Sequence, residues 1–317
     1  MELLKRLTQT FGTSGKEDGI RELIISEIKP ICDEVGVDCM GNVTGTIRGG
    51  EKTIMAAAHM DEIGIIVTYT DDSGFLRFAP VGGLEKNRLV GRRVVFENGV
   101  VGIIGTEKDN DKNNIQKMYI DVPVGSGISV GDSACFEGGF YAFGDRVISK
   151  ALDNRIGCFV LIEAMKMIKN PKNTLKFVFT VQEEVGLRGA KTAAFGSGAD
   201  AAIVVDVTDT GDTPECAQMA VKLGGGAAIK VMDRSVICHS EIRNSLVKLA
   251  ADNNIPYQLE IMTDGGTDAG SIHTSGSGIK TGGISVPVRY IHSPSETAFL
   301  KDAENCAKLL ALFMTEN

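Results

Sequence analysis

The sequence lacks several things, and each absence narrows the reading. It has no run of about 20 apolar residues, so no membrane-crossing helix and no membrane partner are expected. It has no block of lysine and arginine, and 41 acids against 33 strong bases give a formal charge of −8. Phosphate binding needs concentrated cations, so a nucleic-acid partner is not expected. No CxxC occurs among the cysteines Cys32, Cys39, Cys135, Cys158, Cys216, Cys238 and Cys306. Their odd number and wide scatter read as free thiols in a reducing compartment. The opening MELLKRLTQTFG has no long apolar core and no small-residue cleavage site, so a cytoplasmic location is expected. No GxGxxG and no Gly-Lys-Ser/Thr is complete, which removes the phosphate-loop reading. Tryptophan is absent, while glycine is plentiful at 38 residues.

With 43 % hydrophobic and 23 % charged residues, the 317-residue chain has the composition of a folded protein of one large or two ordinary domains. Residues 2–9 predict a short helix. Ser14 with Glu17 spells a capping box, opening a second helix with Ile20, Leu23, Ile24, Ile28 and Ile31 at helical spacing. Pro30 is expected to bend or split it. A hairpin-like piece follows, VDCM and VTGTIRG about Gly41-Asn42. The apolar run TIMAAAH then reads as a buried central strand leading to His59, Asp61 and Glu62. From 65 to 149 only short β-type runs recur, with at most a few helical residues near DKNNIQ. This texture predicts a small barrel-like β domain. Helices and strands alternate from Leu152 onward, ending in a helix over SETAFLKDAENCAKLLALFM. The expected fold class is α/β: a central mixed sheet flanked by helices, with an inserted β-barrel-like domain. The α/β domain would be split into 1–64 and 150–317 around an insert at 65–149.

Four expected strands end in polar residues. They lead to His59, to Glu183 and Glu184, to Asp206 and to His292, while Asp153 stands just before a helix. Each has an ordinary reading alone: a core histidine, a helix cap for Asp153, solvated loop acids. Their shared place at the carboxyl ends of strands is the usual ligand crevice of an open α/β sheet. Burying such groups unpaired is costly, and a metal would neutralise several together. Nitrogen and carboxylate oxygen suit Zn, Co or Mn. His239 reads as a capping or surface residue, and His273 as part of a glycine-rich loop.

Taken in order, AHMDEIG, LDNR, EEVGLRGA, VVDVTD, GGTDAG and YIHSPSE resemble the glutamyl aminopeptidase and cellulase-M family of dinuclear metallo-aminopeptidases, the TET-type dodecameric enzymes. The resemblance spans essentially the whole chain. It implies a zinc-peptidase-like catalytic domain that removes N-terminal residues from short peptides. The nucleophile would be a water bridged between two divalent metals, Zn or Co. By the same resemblance His59 and Asp206 hold the first metal, and Glu184 and His292 the second. Asp153 bridges them, Glu183 is the general base, and Asp61 orients His59. It also implies a cis peptide bond after Asp153 and a homododecamer assembled through the β insert. Separately, the GGTDAG loop around Thr267 and Asp268 is expected to form part of the pocket for the substrate's first side chain. Other readings kept open are a glycoside hydrolase using Glu183 and Glu184, a related metal-dependent deacylase or carboxypeptidase, and a non-catalytic scaffold.

Overall fold

A computed structural model describes residues 1–109 and 114–316. Helices α1 (Glu2–Gln9) and α2 (Asp18–Ile28) precede the antiparallel pair β1 (Glu34–Val37) and β2 (Val43–Ile47), then β3 (Gly50–His59). Next come β4 (Gly64–Thr70), β5 (Leu76–Val81), β6 (Arg93–Phe96), β7 (Val101–Thr106), β8 (Met118–Asp121) and β9 (Ser133–Phe136). These six close into a barrel in the order β4-β5-β8-β7-β6-β9. After it run β10 (Tyr141–Phe143), β11 (Arg146–Ser149), α3 (Leu152–Met167), β12 (Asn173–Thr180), α4 (Arg188–Ser197) and β13 (Ala201–Thr208). The chain continues with β14 (Ala227–Met232), α5 (Ser240–Asp252), β15 (Tyr257–Ile261) and α6 (Ala269–Ile272). It finishes with β16 (Lys280–Arg289), β17 (Glu296–Phe299) and α7 (Leu300–Glu316).

The large sheet has 11 strands in the order β1-β2-β12-β3-β13-β16-β17-β11-β10, with β14 on β16 and β15 on β14. Its centre, β12-β3-β13-β16, is parallel. That explains why β3 shows no alternation: residues Ile54 to His59 are buried, with neighbours on both sides and helices on both faces. One face packs under α1, α2, α3, α5 and α7 through residues such as Leu7, Ile24, Phe159, Leu246 and Phe313. The other face carries α4 and α6. Small residues, Ala57 and Ala202 on the sheet and Ala190 and Ala194 on α4, allow close approach there. Parallel pairing sets Thr180 beside His59, so the ends of β12 and β3 deliver their polar residues to one edge. Leu76, Phe78, Val94 and Phe96 fill the separate barrel core, and Phe75 packs edge-on to Tyr119 at 5.0 Å.

Several local expectations are corrected. Ser14 does not cap α2, which begins at Asp18; its hydroxyl donates to Asp61 instead. Pro30 lies beyond the end of α2 and stops it rather than bending it. β1 ends before Asp38, whose Oδ1 accepts from Met40, Gly41 and Asn42 and so spends that residue on the turn. Residues 296–299 form β17, so the last helix starts at Leu300. β10 and β11 have the texture of the barrel strands yet pair through β17 into the large sheet. Of DKNNIQ, residues 111–113 lie outside the described residues, and Ile115–Lys117 form one 3-10 turn.

Candidate metal centre

His59 lies at the end of β3 and Asp206 within β13. Glu183 and Glu184 follow β12, Asp153 opens α3, and His292 lies between β16 and β17. The fold gathers all of them. His59 Nε2 stands 3.1 Å from Asp153 Oδ1, 3.7 Å from Asp206 Oδ1 and 3.8 Å from Glu183 Oε2. His292 Nε2 stands 3.1 Å from Glu184 Oε2 and 3.4 Å from Asp153 Oδ2. Asp153 therefore turns one oxygen to each imidazole. Two donor sets are compact, with atoms within 4.8 Å: His59–Glu183–Asp206 and His59–Asp153–Glu184. Glu184 Oε1 is buried with no hydrogen-bond partner, which is costly unless a ligand completes it. These nitrogen and oxygen donors fit a dinuclear metal-binding site.

The Asp153–Asn154 peptide is cis, and both residues depart from helical angles at the head of α3. The capping expected of Asp153 falls to Asn154, whose Oδ1 accepts from Gly157 N at 3.1 Å. A Cβ at Gly157 would stand 2.2 Å from that oxygen, so any larger residue there would displace the capping side chain. Asp61 holds the acid pair by its backbone: Glu183 N donates to Oδ1 at 3.0 Å and Glu184 N to Oδ2 at 3.2 Å. Asp61 Oδ1 also lies 3.4 Å from His59 Nδ1. Gly189 lets the chain double back, because a Cβ there would meet Val181 O at 2.4 Å.

Burial pushes the Glu183, Glu184 and Asp206 carboxyls above the usual range, and neighbouring acids add to this. Burial opposes a charged His59, but Glu183, Asp153, Asp61 and Asp206 outweigh it and hold its pKa well above normal. His292 rises to about 12 because Glu184 and Asp153 likewise overcome its burial. Burial would raise Asp153, yet its bonds to His292 and His59 hold it well below the carboxylate range. The proton affinities are thus a contest between crowded acids and two imidazoles. Divalent cations would relieve it by favouring charged carboxylates and neutral imidazoles together.

Two residues of the site escaped the sequence reading. Ser14 donates to Asp61 Oδ2. Glu296 is buried and accepts from Asp153 N and from His292 N, each at 2.9 Å. One carboxylate thereby positions the backbones of two donors. Its only signal was the last letter of YIHSPSE, read as the start of a helix. Glu296→Gln replaces one acceptor with a donor facing a backbone N–H. Metal affinity is expected to fall about 10–100-fold, read by competition with a chromogenic chelator. Unchanged affinity would remove Glu296 from the site.

The remaining histidines stay outside the donor set. His239 is the N-cap residue of α5, and His273 Nδ1 lies 2.8 Å from Ala269 O at the end of α6. The donors floor a cleft of 660 Å³. Thr267 lines it; Asp268 does not, and is buried with one oxygen accepting from Thr180.

Residues 41–309 match the family model described as M42 glutamyl aminopeptidase. A putative aminopeptidase of Acetivibrio thermocellus is 57 % identical, covering 98 % of this chain and 96 % of its own. The aminopeptidase APDkam598 of Desulfurococcus kamchatkensis superposes with TM-score 0.96 at 38 % identity, covering 100 % of this chain and 94 % of its own. The PhTET1-12s structure, a dodecamer, gives TM-score 0.91 at 36 % identity over 100 % and 99 % of the two chains.

Proposed function

The chain belongs to the M42 glutamyl aminopeptidase family and is a metal-dependent aminopeptidase; from its site geometry we propose how the individual residues divide the work. The observation that carries the reading is Asp153, whose two oxygens face His59 and His292 separately. A bridging carboxylate needs that arrangement. His59 and Asp206 then serve one divalent cation, and Glu184 and His292 the other. Two such cations, Zn or Co, supply Lewis acidity and lower the pKa of water in the site. Glu183 takes the proton of the water that attacks the scissile carbonyl and returns it to the leaving amine. Asp61 keeps Glu183 and Glu184 in place through their backbone N–H groups and faces the far edge of His59.

Chelation should abolish hydrolysis of aminoacyl p-nitroanilides, and refilling with Zn or Co should restore it at two ions per chain by elemental analysis. A two-carboxylate glycosidase would not cleave these anilides, and its rate on a glycoside would survive chelation. Persistent activity in fully demetallated protein would overturn the assignment.

We further propose a homododecamer, as in PhTET1-12s. Edge strands support it: β10 exposes Tyr141 and Phe143, and β15 exposes Leu259 and Ile261. The barrel adds exposed Val124 and Val130, so the insert can contribute to assembly. A monomer in sedimentation would contradict this. No helix among the described residues is long and apolar enough to cross a membrane. All seven cysteines are free, which supports a cytoplasmic location.

A further inference from the structure

The cleft carries more charge than the donor set explains. None of its lining residues is lysine or arginine. Beyond the donors, its charged lining is Glu85, Asp209 and Asp264. Glu85 is compensated by Arg88 at 2.7 Å. Asp209 and Asp264 have no hydrogen-bond or ion-pair partner among the described residues. The nearby Arg289 is already engaged, its guanidinium forked onto Asp212 at 3.0 and 2.7 Å.

Asp209 comes three residues after the donor Asp206, as β13 runs out into the cleft. It is close enough to Asp153 and His292 for their charges to act on it. Asp209 is open to the cleft, and the partial burial of its carboxyl raises its proton affinity; Asp153 and Glu85 add to that, and His292 opposes it. Apolar surface lies in the same cleft at Leu187, Met262 and Ile291, with the ring of Tyr290. This combination suits a side chain with a methylene stem and a cationic head. The wall bearing Met262 and Asp264 is anchored: Thr267 Oγ1 donates to Asp233 Oδ2 at 2.9 Å, and buried Lys230 sits between Asp233 and Glu260. Glu184, whose buried Oε1 has no hydrogen-bond partner, lines the same cleft, which marks the cleft as a place where bound groups complete the protein.

We propose that the cleft selects peptides whose N-terminal residue has a cationic side chain, lysine or arginine, with Asp209 as the main determinant and Asp264 as the second. The proposal rests on the aminopeptidase reading and names its substrate class. An N-terminal glutamate would meet like charges there. A leucine would fill the apolar wall but leave both carboxylates uncompensated.

Every aminopeptidase substrate carries an α-ammonium group, so only ratios between side chains test this. The metal-loaded enzyme is assayed on Lys-, Arg-, Leu- and Glu-p-nitroanilide. The expected kcat/KM for Lys or Arg exceeds that for Leu about tenfold and that for Glu about a hundredfold, the scale of changing the substrate by one and by two unit charges. Asp209→Asn should lower the Lys-to-Leu ratio about tenfold, Asp264→Asn should lower it less, and Asp209→Glu should restore it. Leu or Glu hydrolysed as fast as Lys would overturn the specificity while leaving the aminopeptidase standing. So would a Lys-to-Leu ratio unmoved in Asp209→Asn. No cleavage of any of the four would overturn both.

Discussion

Glu183→Gln should lose about 10²- to 10⁴-fold in kcat, roughly 3–5 kcal/mol of transition-state stabilisation, while keeping both metals. The substitution keeps the heavy-atom count and a hydrogen-bonding group in place, but an amide cannot take up a proton at neutral pH. The geometry gives this experiment two sharply different outcomes. Glu183 Oε2 is 3.8 Å from His59 Nε2, and Glu183 belongs to a compact donor set with His59 and Asp206. Position alone would let it bind a metal. If it were a ligand, the glutamine variant would show reduced metal content together with reduced turnover. If it is the base, metal content stays at two per chain and KM changes little while kcat collapses. Elemental analysis beside steady-state kinetics separates the two. Normal turnover with both metals bound would remove Glu183 from the chemistry altogether.

The same contrast shows what the sequence could reveal. His59, Glu183, Asp206 and His292 were visible because each lies near the end of a segment with a clear strand pattern. Such ends converge in a parallel sheet. Asp153 was visible only as a polar residue before a helix, and its role as the residue between two imidazoles depends on Asn154 taking over the cap. Ser14 and Glu296 were misread for one reason: each has a strong local meaning that loses to a distant partner. Ser14 fits a capping box, but its hydroxyl reaches Asp61, 47 residues on. Glu296 fits a helix start, but its oxygens serve Asp153, 143 residues back, and His292. Local propensity cannot weigh a bond whose other half is set by topology.

Sheet membership was hidden in a similar way. β10 and β11 are three and four residues long and resemble the barrel strands before them. Alternation tells that a segment is extended, not which sheet it will join. The join is decided by β17, itself four residues long and continuous with α7, so that it carried no boundary signal of its own. The consequence matters for the site. β17 leads off with Glu296, and β11 runs directly into Lys150 and Asp153. Strands that looked peripheral in the sequence therefore position Asp153.

The other large expected effect is on stability. Arg155→Met should cost about 3–5 kcal/mol and lower the melting temperature by roughly 5–10 °C. Arg155 is fully buried two residues after Asp153. Its Nη1 donates to Leu7 O at 2.6 Å and to Thr10 O at 2.9 Å, and its Nη2 to Gly12 O at 3.3 Å. Nη2 also approaches Glu62 Oε1 at 3.5 Å, where Lys150 Nζ binds both carboxylate oxygens at 2.8 and 2.6 Å. One guanidinium thus ties the end of α1, the loop after it, the exit of β3 and the head of α3. Methionine has similar length and no donor, so packing is largely kept while three backbone carbonyls lose their partner. Lys150 still compensates Glu62, so the expected loss comes from the three unpaired carbonyls, at about 1–2 kcal/mol each, rather than from a naked buried charge. The loosened loop carries Ser14, the donor to Asp61, so activity measured below the melting transition should fall too, with metal content retained. Calorimetry on the metal-loaded protein checks the first part and kinetics at 25 °C the second. A melting temperature equal to that of the unsubstituted protein would mean that the carbonyls of residues 7–12 find other donors, and that Arg155 is not what joins the N-terminal segment to the metal site.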